Sequence, residues 1–185
     1  MKSPVSLNRM TIEQFVAQSI GDWKSMRSGH SLAFQIFEDV ISEISITEVS
    51  TEDKAVLDLL EQYKIQSKYS TPFFMKWEAD SDWEPDDPSD VSSGECLIIP
   101  VPTDEDSGIL IRSVGYAEAE QAMSSYHILQ DGTFTLITEY GQSIAEERIW
   151  FVSENVRCRS SVIRTSEGSG VLQTSFASEI RRLNL

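Results

Sequence analysis

The chain has 185 residues with 15 Lys and Arg against 30 Asp and Glu, a net charge of -15 at pH 7. A hydrophobic fraction of 40% with 9 Gly and 6 Pro suits one globular domain over residues 1–185 and excludes a collagen-like or low-complexity polymer. The acidic excess repels phosphate backbones and anionic lipid surfaces, so nucleic acid is not an expected partner, and no run approaches the roughly 20 apolar residues that cross a bilayer, so membrane insertion is not expected either.

The first fifteen residues hold no apolar run of signal-peptide length. Cys96 and Cys158 lie far apart without CxxC spacing, which fits a reducing compartment. The cytosol, or an equivalent plastid stroma, is the expected location.

Along the chain, Thr11 caps a short helix through Ser19 that places Ile12, Phe15 and Val16 on one side. A strand follows in which Trp23, Ser25 and Arg27 share a face, with a small kink at Gly29 before His30. Alternation through Ser31–Glu38, Ile41–Val49 and Phe73–Glu78 reads as strand. Between the last two, a second helix starts at Ser50 or Thr51 and sets Val56, Leu59, Leu60 and Tyr63 at helical spacing, with Glu52 and Asp53 at its positive end. From Glu95 onward, Cys96–Val101, Ile109–Val114, Ala122–Leu129, Thr133–Tyr140, Ile144–Val152, Val156–Thr165 and Gly170–Arg181 succeed one another with short turns. Such a meander hides its edges by closing into an antiparallel up-and-down barrel of about ten strands, mainly β with two short helices, and barrels of this size leave room for one small ligand.

The chain has no phosphate loop, HExxH, GxSxG or dinucleotide fingerprint. The acidic stretch Asp80–Asp87 resembles an EF-hand loop only superficially, since Pro85 stands where the turn glycine belongs and Val91 where the bidentate Glu belongs. His30, His127, Cys96 and Cys158 lack zinc spacing. No metal site is expected.

The richest segment is Glu147-Arg-Ile-Trp-Phe151 followed by Val156-Arg-Cys-Arg-Ser-Ser161, which reads as a hairpin. A three-residue loop of Ser153, Glu154 and Asn155 sets Phe151 opposite Arg157, Ile149 opposite Arg159 and Glu147 opposite Ser161. A two-residue loop of Glu154 and Asn155 slips the register and sets the arginines opposite Val152 and Trp150. The sequence alone leaves both open. On a solvent face the two arginines are an exposed ladder; inside a barrel they form an anion clamp whose guanidinium forks fit carboxylates. Trp77 and Trp83 flank acidic residues at the entry to the longest irregular stretch, where tryptophan offers either core packing or a stacking face.

The order of these motifs resembles one family, the S-type (CpcS/CpeS) phycobiliprotein chromophore lyases. Trp23-Lys-Ser25-Met-Arg27-Ser-Gly-His30 is similar to the family's W-x-S-x-R-x-x-H signature, and the Glu147–Ser161 hairpin to its E-R-I-W-F and R-x-R-[ST]-S pattern. Ser175-Phe-Ala-Ser-Glu179-Ile-Arg181 is similar to its last strand. The resemblance implies a lipocalin-like, fatty-acid-binding-protein-like barrel that takes up a linear tetrapyrrole as substrate, with no permanently bound cofactor. Phycocyanobilin is the first cargo expected, with phycoerythrobilin in other members. The pigment is delivered to a cysteine of an apo-phycobiliprotein subunit of phycocyanin, allophycocyanin or phycoerythrin, forming a thioether. By the same resemblance, Glu147 and Arg157 are the catalytic residues, with Arg157 and Arg159 on the propionates or lactam oxygens and Glu147 at the pyrrole N–H groups or in proton transfer. Trp77, Trp83 and Trp150 pack on the pigment, with Trp23 also among the substrate-binding residues, while Arg27, His30 and Ser161 orient it. A homodimer or a heterodimer with a paralogous subunit is implied as well. The rival readings are a non-catalytic carrier of an acidic hydrophobic ligand and a phycobiliprotein assembly chaperone.

Overall fold

A computed structural model describes residues 9–32, 34–81, 93–113, 123–168 and 170–183. Helix α1 (Ile12–Ser19) leads into β1 (Gly21–Ser31) and β2 (Ile36–Glu48). Helix α2 (Lys54–Gln62) precedes β3 (Phe73–Ser81), β4 (Ser93–Pro102), β5 (Ser107–Arg112), β6 (Met123–Ile128), β7 (Phe134–Tyr140), β8 (Ser143–Ser153), β9 (Val156–Thr165) and β10 (Val171–Arg181). Each strand pairs antiparallel with the next, and β10 returns to β1, so the ten strands close into a barrel without an edge.

The meander expected from the sequence is this barrel, with three local differences. The stretch Ser31–Glu38 is not one strand: β1 runs on through His30 to Ser31, and the chain turns before Ile36, with Gln35 at a φ of 54°. No kink interrupts β1 at Gly29, which keeps its place in both flanking ladders. Helix α2 starts later than expected, because Asp53 rather than Ser50 or Thr51 caps it, accepting from the Ala55 N–H at 2.8 Å.

The helices serve opposite sides of the sheet. Helix α1 opens with a capping box in which Thr11 and Gln14 satisfy each other's backbone N–H groups at 3.3 and 2.9 Å. Its buried face of Ile12, Phe15 and Val16 packs on the inward Leu110, Phe134, Leu136 and Ile149. Phe15 stacks on Phe134 with centroids 4.3 Å apart. This helix therefore stoppers one end of the barrel. Its last carbonyls are also taken: the indole of Trp23 donates to Ser19 at 2.9 Å, and the guanidinium of Arg181 donates to Gln18 at 2.7 Å and to Ile20. Helix α2 lies outside, with Val56, Leu59 and Leu60 over the outward Leu97, Ile99 and Ile111. That cover explains the unbroken apolar run of β4, buried on both faces.

Inward residues at the plugged end, such as Trp23 and Arg157, are buried, whereas inward positions at the far end of β1, β9 and β10, such as Arg27, Thr165 and Gln173, are only half-buried. Among the described residues the barrel is less closely packed at the end away from α1, its mouth. Replacing Phe15 by Ala should remove the stopper's main contact and cost about 3–5 kcal/mol. Urea unfolding should show a lower midpoint at an unchanged denaturant slope.

Candidate functional site

The hairpin of β8 and β9 combines features of both registers that the sequence leaves open. Ser153 pairs with Val156, so only Glu154 and Asn155 form the loop, while an irregularity between Phe151 and Ser153 shifts the ladder. Below it Phe151 opposes Arg157, Ile149 opposes Arg159 and Glu147 opposes Ser161. On the other side of β9, Arg157 faces Glu179, Arg159 faces Ala177 and Ser161 faces Ser175. With the side chains of Arg157 and Glu179 only 2% and 1% exposed, alternation turns Glu147, Arg157, Arg159, Ser161 and Glu179 into the interior.

These charges form a chain. The Arg157 Nε–H donates to Glu179 Oε2, and Glu179 Oε1 lies 3.7 Å from Arg159 Nε. Arg159 Nη1 lies 3.7 Å from Glu147 Oε1, and the Ser25 hydroxyl donates to Glu179 Oε1 at 3.5 Å. Trp23 is sandwiched between two cations, with the guanidinium carbons of Arg157 and Arg181 at 4.4 and 4.2 Å from its ring. Burial raises the Glu179 carboxyl, but the guanidiniums of Arg159 and Arg157 outweigh it and hold the group below its ordinary value. Burial pushes the Arg157 guanidinium down to about 10 against the pull of Glu179, so it stays cationic at neutral pH. Its Nη2 is buried without a hydrogen-bond partner. Two guanidiniums thus share two carboxylates, and the chain is charge-balanced inside a protein of net charge -15.

A cavity of about 80 Å³ lies between this chain and α1, lined by Glu147, Arg157 and Arg159, by Arg112 of β5, and by apolar side chains of α1 and the inner wall. This volume falls short of the roughly 300–1,000 Å³ of small-molecule sites, because α1 fills the space that an unplugged barrel would offer. The expectation of a hollow large enough to enclose an open-chain pigment is corrected accordingly: the cavity between the charge chain and α1 is too small to enclose one.

The expected site residues divide by strand parity. Glu147, Arg157, Arg159 and Ser161 converge as described. Arg27 also points inward, at the mouth, where it pairs with Glu38 at 3.4 Å. Trp77 lies on the inward side against Gly94, where a Cβ would overlap its ring. Trp23 is inward but fully buried beneath the charge chain, so it supports the site from below rather than lining it. Two expectations are overturned. His30 sits at an outward position of β1 and stacks on Phe37 at 4.2 Å, and Trp150 sits at an outward position of β8 beside Phe176, with centroids 6.1 Å apart. Neither reaches the interior, because each is one residue out of phase with its inward neighbours. Trp83 lies outside the described residues, as does the acidic stretch from Asp82 to Asp87. Among the described residues no cluster of three or more metal-ligating side chains occurs. Glu179, Ser25 and Arg112 went unnamed as site residues from the sequence. Glu179 was legible only once β10 was set against β9, and Arg112 only from its parity with Leu110.

The profile of the CpeS-like protein family matches residues 11–182. A chromophore lyase CpcS/CpeS 3 of Trichodesmium erythraeum is 46% identical over 175 residues, covering 93% of this chain and 99% of its own. A candidate phycoerythrobilin lyase, CpeS, of Microchaete diplosiphon is 45% identical over 162 residues, covering 85% of this chain and 71% of its own. The solved structure of the S-type phycobiliprotein lyase CPES from Guillardia theta superposes with a TM-score of 0.82 at 35% identity, over the full length of both chains.

Glu179→Gln should strand the buried Arg157 guanidinium and cost about 3–5 kcal/mol. The charge of Glu179 is favoured in the folded state, so its contribution is complete above the unfolded value near 4.5 and disappears as pH falls through the lower folded value. Unfolding free energy plotted against pH should fall on the acid side in the parent protein and lose that segment in Glu179→Gln.

Proposed function

The chain belongs to the CpeS-like family, and on that premise we propose that it is a phycobilin lyase, taking up a linear tetrapyrrole and attaching it to a cysteine of an apo-phycobiliprotein subunit. The observation that carries the reading is the chain of alternating charges Arg157, Glu179, Arg159 and Glu147 facing the barrel interior. An open-chain tetrapyrrole brings two propionates, a row of pyrrole nitrogens and a conjugated face. Arg159 answers a propionate, Glu147 the pyrrole N–H groups, and Trp77 the face.

The body of the pigment lies in the mouth half, because the cavity above α1 is too small for it. Its carboxylates reach downward to the guanidiniums, which leaves the reactive end ring toward the opening where a partner's thiol arrives. Arg27 and Ser161 face the same half and supply orienting hydrogen bonds. Arg157, held by Glu179 and sealed by Trp23, acts as a positioning residue that fixes Glu179 and, through it, Arg159. Transfer adds the acceptor S–H across the exocyclic ethylidene: a carbon–sulfur bond forms, the proton ends on the neighbouring ring carbon, and no oxidant or leaving group is needed. A carboxylate beside the pyrroles favours the protonated pigment and makes the ethylidene more electrophilic. The barrel fixes which face is attacked and shields the pigment from stray thiols. The Microchaete relative favours phycoerythrobilin as cargo ahead of the phycocyanobilin expected from the sequence.

The test is reconstitution of the protein with phycoerythrobilin and phycocyanobilin, each crossed with apo-subunits of phycoerythrin, phycocyanin and allophycocyanin. A covalent, zinc-fluorescent subunit is expected with at least one pairing. Uptake of pigment without transfer to any subunit would replace the lyase with the carrier reading, and coloured subunit formed equally well without the protein would remove both. In the productive pairing, Glu147→Gln should keep pigment uptake and slow transfer by about 10²–10⁴-fold. Arg148→Ala, on the outward face where Arg148 pairs with Glu146 at 2.9 Å, should change neither.

A further inference from the structure

The structure holds a second buried guanidinium near the cavity, and it is treated differently from Arg157. Arg112 ends β5 and pairs with Ile98 of β4. Its carbonyl accepts from the Tyr63 hydroxyl at 3.0 Å. Ser113, next in the chain, is bound to Leu97 through both its N–H and its hydroxyl, at 3.0 and 2.9 Å. The backbone is thus clamped from outside by β4 and by the residue that follows α2, and the side chain is sent into the barrel. There Arg112 is only 5% exposed and lines the cavity. Its Nε has no hydrogen-bond partner, and no carboxylate among the described residues pairs with it.

A buried cation without a countercharge is costly, and proteins keep one only where something else supplies the charge. The Arg157–Glu179 pair shows how this fold neutralises a guanidinium that serves the structure. Arg112 has no such partner, yet β5 and β9 are separated by β6, β7 and β8 in a ring of ten strands, so it stands on nearly the opposite wall from Arg159, across one cavity. We propose that Arg112 is an anion-docking residue that receives a carboxylate of the incoming ligand, so that two carboxylates of one molecule are held from two walls, one by Arg159 and the other by Arg112. The identity of the ligand as a phycobilin rests on the reading above, whereas the docking of a carboxylate by Arg112 does not. Two-walled attachment fixes the rotation of a flexible pigment about the barrel axis, which a clamp on β9 alone leaves free.

The test uses the full chain and its Arg112→Leu variant. In the absence of ligand the variant should melt at or above the temperature of the parent, because an unpaired buried charge has been removed. A melting temperature lower by several degrees would mean that Arg112 is structural and would overturn the proposal. Absorbance titration with phycoerythrobilin should show roughly ten- to hundred-fold weaker binding by Arg112→Leu, while the dimethyl ester of the same pigment should bind both proteins alike. Equal affinity of parent and variant for the diacid overturns it. If the parent takes up neither pigment, the lyase reading falls, and titration with cis-parinaric acid decides the matter of Arg112. Binding by the parent that is lost in Arg112→Leu upholds carboxylate docking, and equal binding, or none, removes it.

Discussion

A guanidinium enclosed by a β-barrel must be neutralised, and the contact between Arg157 and Glu179 meets that demand while organising everything around it. Burying either charge alone would cost several kcal/mol. Placed opposite each other on β9 and β10, they satisfy one another, and Glu179 has a second oxygen left over for Arg159 and Ser25. The same Arg157 lies on one face of Trp23, whose other face carries Arg181. Because Trp23 and Arg181 also hold the last carbonyls of α1, the stopper helix, the closing strand pair and the charge chain form one connected unit.

That connection accounts for the division of the barrel into two halves. Toward α1 the interior is closely buried, and there the Arg157 charge is paired with Glu179. Toward the mouth several inward side chains are small or polar, among them Ser161, Ser175 and Gln173, and these are only half-buried. Arg159 and Glu147 sit at the boundary, with side chains 18% and 25% exposed. A group at such a boundary keeps its charge and remains reachable, a combination that neither half offers alone.

How much of this was legible depends on periodicity. The two helices and most of the strands could be read because alternation and turn residues are local signals, whereas the turn between β1 and β2 was read as strand. The inward set Glu147, Arg157, Arg159 and Ser161 followed from one hairpin, although its loop could not be read because an irregularity near Val152 restores the ladder that a two-residue turn would otherwise shift. His30 and Trp150 were misplaced by motif likeness, which carries no parity: each belongs to a signature that also contains inward-pointing residues. Glu179 lies 22 residues from Arg157, and no local pattern couples residues that far apart before the strands are paired. The plug escaped for a similar reason. Helix α1 has an obvious apolar face, but which surface it covers is a tertiary fact, and that surface proved to be the interior of the barrel.

The exterior and the interior of this protein carry opposite charge, and the contrast constrains what can enter. At long range an anionic ligand meets a net charge of -15 and is repelled, more weakly as salt screens the field beyond about 10 Å. At contact it meets desolvated guanidiniums, whose attraction is short-ranged and little affected by salt because water and ions are excluded from the site. An anion with little apolar surface would gain too little from burial to offset the repulsion and the loss of its hydration. A ligand that combines carboxylates with a large apolar face gains from both the aromatic and aliphatic wall and the cations beneath it. The balance of these terms disfavours small inorganic anions and favours a carboxylate-bearing molecule with a large apolar face.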